Sequence, residues 1–137
     1  MAGDIEARLA ESGIELPDAP APAANYISFL VTGNLVFIAG QGTVWNGEIR
    51  FKGRLGDDMD VDEGYRAARL CGLNLIAQAK EAAGGDLDRG KRVVKLGGFV
   101  NSTADFTDQP KVVNGASDLM VEVFGDAGKH ARFAVGA

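Results

Sequence analysis

The sequence predicts an α+β fold whose elements follow in the order β-β-β-α-β-α-β. Three observations predict this fold. Two of them are strand patterns: an apolar hairpin pattern over Tyr26–Gln41 and a glycine-containing apolar run over Lys91–Ser102. The third is a pair of long segments whose apolar residues recur at helical spacing. Because each helical segment has a single apolar stripe, we expect both helices on one face of a mixed sheet.

The N-terminal part predicts a short helix followed by an extended connector. "DIEARLAESG" has Asp4 as a candidate N-cap and Gly13 as a stop, and the Pro- and Ala-rich "ELPDAPAPAANY" follows. A chain of 137 residues suits one folded domain. We expect residues 1–25 to form the helix and connector, and residues 26–137 to form that domain.

The first three strands are predicted from turn residues. Gly33 and Asn34 supply a two-residue hairpin turn, because glycine adopts positive φ without strain. A third strand is predicted over Gly47–Gly56, where glycines bound an apolar and basic run.

The first long helix is predicted from Asp60 onwards, since Asp60 and Glu63 have the spacing of a capping box, and Gly84 and Gly85 end it. Gly72 and neighbouring alanines predict close packing on a sheet. The predicted stripe consists of Val61, Tyr65, Ala68, Gly72, Leu75, Ile76, Ala79 and Ala83.

The second long helix is predicted over "TDQPKVVNGASDLMVEVFGDAG", with Pro110 in its first turn and a last strand beginning near His130. The second sheet face keeps apolar residues, which predicts packing against another subunit. The predicted buried helix face consists of Val112, Val113, Ala116, Leu119, Met120, Val123 and Phe124.

Composition excludes several classes of function. The net charge of −5 and the lack of a basic stripe argue against a nucleic-acid partner. The single cysteine, Cys71, allows no internal disulfide, and no run is apolar enough for a signal peptide or a membrane span. We expect a cytoplasmic protein with no membrane partner. One histidine and no phosphate-binding loop predict no metal and no cofactor.

Several motifs, in order, carry a family resemblance from about Ala21 to Ala137. They are "APAPAANY", "GNLVFIAGQ", "EAAGGDL", "VVKLGGFVN" and "HAR" followed by small residues. In these the chain resembles the RidA/YjgF family, also called endoribonuclease L-PSP, which has a chorismate-mutase-like fold. The longer segment "TVWNGEIRFKGRLG" and the N-terminal helix indicate a subgroup distinct from the best-known imine deaminases.

The resemblance implies a homotrimer with a barrel-like core and clefts between subunits. It implies hydrolysis of 2-imino acids or their enamine tautomers to 2-keto acids and ammonia. Arg132 matches the carboxylate-binding arginine, whose planar guanidinium can grip a carboxylate through two parallel hydrogen bonds. Tyr26, Gly40, Gln41 and, more weakly, Asn114 match substrate-binding positions of the cleft.

The sequence departs from the family pattern in two places. The deaminases usually have serine before Gly-Gln, and here Ala39 removes that hydroxyl. The family also has a further strand with a glutamate proposed to handle water. We expect this final strand to be missing from the chain, which would leave Phe133–Val135 without a hairpin partner.

Other interpretations stay open. A non-catalytic binder of small carboxylates would use the same arginine, and Ala39 slightly favours it. A ribonuclease is disfavoured by the acidic charge. Arg132 would otherwise form a surface ion pair, Tyr26 would be a packing residue, and Asn114 would lie on a solvated helix face. Cys71 is expected to be an inert buried thiol.

Overall fold

The computed structural model describes residues 3–137, which form three α-helices and six short strands. This mixture confirms the predicted α+β class. No helix within residues 3–137 combines the length and apolar character that crossing a bilayer requires. In chain order the elements are α1 (Asp4–Glu11), β1 (Phe29–Thr32), β2 (Leu35–Ile38), β3 (Val44–Trp45), β4 (Glu48–Ile49), α2 (Val61–Ala82), β5 (Lys95–Val100), α3 (Gln109–Phe124) and β6 (Ala131–Gly136).

The strands pair in three separate two-stranded sheets rather than in the single mixed sheet that was predicted. β1 and β2 form the expected antiparallel hairpin, with Gly33 at φ 57° in the turn. β5 and β6 pair in parallel, with Leu96 opposite Arg132. The two pairs stay apart because β1–β2 packs on α2 whereas β5–β6 packs on α3.

The predicted third strand over Gly47–Gly56 is wrong for most of its length. Asn46 and Gly47 both adopt positive φ, 49° and 86°, and turn the chain back between β3 and β4. An Asn-Gly pair is a strong signal for a two-residue hairpin turn. After β4 the Arg50 N–H still donates to the Thr43 carbonyl oxygen at 2.9 Å, but none of residues 50–54 belongs to a strand. Leu55 then bridges to Met59 and Ser102.

Helix α1 begins one residue earlier than the sequence indicates, with Gly3 rather than Asp4 as the N-cap residue. The cap is supplied from elsewhere in the chain: the Asp88 carboxylate accepts the backbone N–H groups of Asp4 (2.7 Å) and Ile5 (3.0 Å). Leu9 then anchors the helix in the core, where it is buried.

Helix α2 begins with the predicted capping box. The Asp60 carboxylate accepts the Glu63 N–H at 2.8 Å, and the Glu63 carboxylate accepts the Asp60 N–H. The predicted stripe is only partly correct, because α2 packs against α3 and also against β1–β3. Its buried residues are Gly64, Ala67, Leu70, Gly72, Asn74, Ile76, Ala77 and Gln78.

Gly72 marks a close approach between two helices, and not between a helix and a sheet as predicted. A Cβ at Gly72 would lie 2.9 Å from a methyl group of Leu119 on α3. Gly115 on α3 is tighter still, because its Cβ would meet the Tyr65 carbonyl oxygen of α2. Helices α2 and α3 therefore approach each other closely at these two glycines.

Helix α3 has Pro110 in its first turn, as predicted, and buries all of its predicted apolar face except Phe124, which is half-buried. One core cluster lies between α1, α2 and α3, and a second lies where Val100 of β5 meets Val112 and Val113. Gly98 lets β5 approach α3, because a Cβ there would lie 2.5 Å from Val113.

The face of β5–β6 that points away from α3 is open and apolar. Phe99 is 73% exposed, and its ring meets that of Phe133 edge-on with centroids 5.2 Å apart. Val135 of β6 is also exposed. On the separate β1–β2 hairpin, Leu30 and Phe37 are exposed as well. Both strand pairs therefore keep apolar side chains at the surface of the single chain.

Candidate functional site

Arg132 is the second residue of β6, and its side chain runs along α3. Nη1 donates to the Ser117 hydroxyl at 3.0 Å, and Nη2 donates to the Pro110 carbonyl oxygen at 3.2 Å. Pro110 and Ser117 are seven residues apart, which is about two helical turns, so they lie on the same face of α3. The strand and the helix together fix the half-buried guanidinium.

The charge of Arg132 is not neutralised by any carboxylate of residues 3–137. Both acceptors are neutral groups, and Arg132 takes part in none of the ion pairs found within residues 3–137. A guanidinium has five N–H donors, and these two bonds use two of them. The alternative interpretation of Arg132 as a member of a surface ion pair therefore finds no partner within residues 3–137, and donors remain for an anion.

His130 completes a directed chain of hydrogen bonds with Ser117. The Ser117 hydroxyl lies 3.0 Å from Nε2 of His130, and Nδ1 of the same ring contacts the Gly128 carbonyl oxygen. A carbonyl oxygen only accepts, so Nδ1 carries the hydrogen and Nε2 of the neutral ring accepts from Ser117. The Ser117 oxygen is left to accept from Arg132.

Asn114 shares the face of α3 that Arg132 contacts. It lies four residues after Pro110 and three before Ser117, and its side chain is half-buried. The fold thus brings the predicted residues Arg132 and Asn114 to one surface.

Tyr26, Gly40 and Gln41 lie around the β1–β2 hairpin, in a different part of the chain from α3 and β6. The Tyr26 hydroxyl accepts from the Ala23 N–H at 3.3 Å, and Nε2 of Gln41 donates to the Ala39 carbonyl at 2.9 Å. A Cβ at Gly40 would meet no atom within 4 Å, so the backbone there is open. No hydrogen bond within residues 3–137 joins these three residues to Arg132.

Two buried amides on α2 hold the segments next to those residues, and the sequence reasoning missed both. Asn74 donates to the Gly42 carbonyl at 3.2 Å and the Val44 carbonyl at 2.7 Å, and Gln78 donates to the Pro20 carbonyl at 2.7 Å. The sequence did contain a signal for these buried amides, because two polar residues four positions apart interrupt an otherwise apolar helical stretch.

Ser117 was also missed, and no sequence signal points to it. It is fifteen residues from Arg132 and thirteen from His130 along the chain, and only the packing of β6 on α3 makes them neighbours.

Cys71, expected to be an inert buried thiol, is half-buried in the structure. Burial raises the pKa of its thiol from 9.0 to about 11, so the thiol stays protonated near neutral pH.

The fold and this site define a class of small α+β proteins, and sequence comparison gives the family. The family model described as "YjgF/chorismate mutase-like, putative endoribonuclease" matches residues 6–136. The chain therefore belongs to the YjgF/chorismate-mutase-like family, which confirms the resemblance inferred from its motifs.

Three relatives are similar over almost the whole chain. Protein TCP17 from Trypanosoma cruzi is 49% identical over 135 residues, which cover 98% of this chain and 84% of the relative. A protein of unknown function from Agrobacterium tumefaciens, known from a crystal structure, is 47% identical in sequence and superposes with a TM-score of 0.88. The match covers 97% of this chain and 82% of the Agrobacterium chain. "A putative endoribonuclease" from Shewanella oneidensis, also known from a crystal structure, is 39% identical in sequence and superposes with a TM-score of 0.93. That match covers 98% of this chain and 89% of the Shewanella chain.

Proposed function

We propose that this protein hydrolyses reactive 2-imino acids, or their enamine tautomers, to 2-keto acids and ammonia, with Arg132 binding the substrate carboxylate. The observation that carries the proposal is the Arg132 guanidinium, which is held by two neutral acceptors and has no acidic partner within residues 3–137. A planar carboxylate matches the guanidinium fork with two parallel hydrogen bonds.

Holding the carboxylate fixes the imine carbon, which lies next to it in a 2-imino acid. Water adds its oxygen to that carbon, and one of its protons goes to the imine nitrogen, which gives a carbinolamine. The carbinolamine hydroxyl then loses its proton and forms the C=O bond, the amine nitrogen gains a proton, and the C–N bond breaks to leave the 2-keto acid and ammonia. Positioning of this kind lowers the barrier by up to about 7–11 kcal/mol in ideal cases. The reaction needs no cofactor in this proposal.

Ser117 and His130 support the proton transfers in this scheme. The Ser117 hydroxyl contacts both Arg132 and Nε2 of His130, so a proton acceptor lies one hydroxyl away from the guanidinium that would bind the carboxylate.

We further propose a homotrimer whose clefts are completed between subunits. The apolar residues exposed on β1–β2 and β5–β6, among them Phe37 and Phe99, support packing against other copies. A cleft between subunits would also let Tyr26, Gly40 and Gln41 line the same space as Arg132 and Asn114, which a single chain does not link by hydrogen bonds.

The second candidate is a non-catalytic binder or sensor of small carboxylates that uses the same arginine. Ala39 favours it, because one hydroxyl of the deaminase pattern is absent. The relative described as an endoribonuclease suggests RNA cleavage as a third activity, but the net charge of −5 disfavours a polyanionic substrate.

The test is the turnover of 2-iminopropanoate, formed in situ from alanine by an amino acid oxidase. The parent protein is expected to consume the imine faster than buffer does, and Arg132→Ala is expected to return the rate to the spontaneous one. Arg89→Ala, on the turn after α2, is the matched control and should keep full activity. A parent rate equal to buffer, together with Arg132-dependent binding of pyruvate, would favour the binder instead.

A further inference from the structure

A hollow lies between the β3–β4 hairpin and the first half of α2, and neither Ser117 nor Pro110, the residues to which Arg132 donates, lines it. Its volume is about 430 Å³, within the range of about 300–1,000 Å³ typical of small-molecule sites. Two leucines of α2 and the rings of Trp45 and Phe51 give it apolar walls, and Arg50, Arg66 and Arg69 give it charge.

The three arginines are not equally neutralised. Arg69 forms a 3.0 Å ion pair with Glu122, and Arg50 lies 3.7 Å from Glu48. Arg66 forms no ion pair with any carboxylate of residues 3–137, although acidic residues outnumber basic ones 19 to 14 in the chain. Arg66 is therefore the guanidinium that an anion entering the hollow would meet without a competing carboxylate, and the positive charges of Arg50 and Arg69 lie on the same lining.

The aromatic side chains give the hollow a second property. The Arg66 guanidinium carbon lies 5.8 Å from the centroid of the Phe51 ring, a cation–π arrangement that leaves the N–H groups at the edge of the guanidinium plane free to donate. Trp45 is half-buried in the same wall. Flat apolar surface beside guanidiniums suits a ligand that is both planar and anionic.

We propose that this hollow binds a small anion that carries an aromatic ring, such as an aryl phosphate or an aryl carboxylate. The ring lies against Trp45 and Phe51, and the anionic group accepts hydrogen bonds from Arg66 and its two arginine neighbours. None of the residues named for imine hydrolysis lines this hollow, so the inference is independent of that activity.

Trp45 is the only tryptophan in the sequence, so its emission reports on this hollow directly. The probes are phenyl phosphate, inorganic phosphate and benzyl alcohol, with excitation where phenyl phosphate does not absorb. Phenyl phosphate is expected to change the emission saturably, inorganic phosphate to bind more weakly, and benzyl alcohol to give no saturable response. Calorimetric titration of the same probes provides an independent measurement.

Arg66→Gln is the decisive variant, because Arg66 is exposed and its loss leaves no buried partner. Its affinity for phenyl phosphate should fall about tenfold, the loss expected when one charge-assisted hydrogen-bond donor is removed. Arg89→Gln, at the opposite end of α2, and Arg132→Ala should both keep the parent affinity. Arg50→Gln provides a second variant with the same expected direction.

Three results would overturn the proposal: no saturable response in the parent protein, an affinity that survives Arg66→Gln and Arg50→Gln unchanged, or equal affinity for inorganic phosphate and phenyl phosphate. The last result would show an anion site without a role for the rings. The Arg132→Ala variant separates this proposal from the proposed hydrolysis. It should lose imine hydrolysis and still bind phenyl phosphate with the parent affinity.

Discussion

The Arg132 guanidinium donates a 3.0 Å hydrogen bond to the Ser117 hydroxyl, and this contact joins the last strand to the middle of α3. The hydroxyl can accept from Arg132 because its own hydrogen is directed to Nε2 of His130. Ser117 and His130 thus position the arginine that we propose as the substrate anchor.

Replacing Arg132 with alanine should cost about 2–5 kcal/mol of carboxylate binding, the range for removing one partner of a partly buried charge pair. Arg132→Lys should recover only part of this, because lysine lacks the planar fork. Calorimetric titration with pyruvate measures both, after gel filtration shows that the oligomeric state is unchanged. If folded Arg132→Ala binds pyruvate as tightly as the parent, Arg132 is not the anchor.

Ser117→Ala should weaken pyruvate binding by about fivefold, because Nη1 of Arg132 loses an acceptor worth about 1 kcal/mol. Ser117→Thr keeps the hydroxyl and should recover most of the affinity. If Ser117 only stabilised the fold, Ser117→Ala would have a lower melting temperature, but the alanine and threonine variants would bind pyruvate with the same affinity. Equal affinities of the alanine and threonine variants would contradict the positioning role.

Cys71 should react slowly with a disulfide reagent while the protein is folded. Burial raises the pKa of its thiol from 9.0 to about 11, so the thiolate fraction at pH 8 is about 100-fold lower than in the unfolded chain. Because the raised pKa favours the neutral thiol, its contribution to stability is complete below pH 9.0 and is lost as the pH rises toward about 11. Reaction with Ellman's reagent in buffer and in urea measures the difference, and equal rates would contradict it.

Gly115→Ala should destabilise the fold by about 1–3 kcal/mol, because the new methyl group would meet the Tyr65 carbonyl oxygen, which is backbone and cannot swing away. The matched control is Gly42→Ala, where a Cβ meets no atom within 4 Å and the change should be neutral or slightly stabilising. Urea unfolding of the two variants is the measurement. Equal midpoints would show that α2 and α3 can separate at no cost.

Asn74→Ala should cost about 2–3 kcal/mol, because the Gly42 and Val44 carbonyl groups lose a buried donor. Asn101→Ala removes a single exposed amide bond to the Gly53 carbonyl and should cost less than about 1 kcal/mol. Thermal unfolding compares the two. A larger loss in Asn101→Ala would contradict the role assigned to the buried amide.

Local chemistry made much of the secondary structure predictable. The Gly33-Asn34 turn, the Asp60–Glu63 capping box and Pro110 in the first turn of α3 depend on residues close together in the chain, and the structure contains each of them. The β3–β4 hairpin depends equally on neighbouring residues, because its turn is the Asn46-Gly47 pair, and it was predictable from the sequence in the same way.

What the sequence alone could determine about this protein was its α+β class, its family and the candidate role of Arg132, since these rest on patterns within short segments. Only the tertiary structure decided which groups meet: that Asp88 caps α1, that Asn74 holds the segment after Gln41, and that Ser117 and His130 surround Arg132. These contacts join residues 13 to 84 positions apart, and hydrophobic burial of the helices, not local propensity, brings them together.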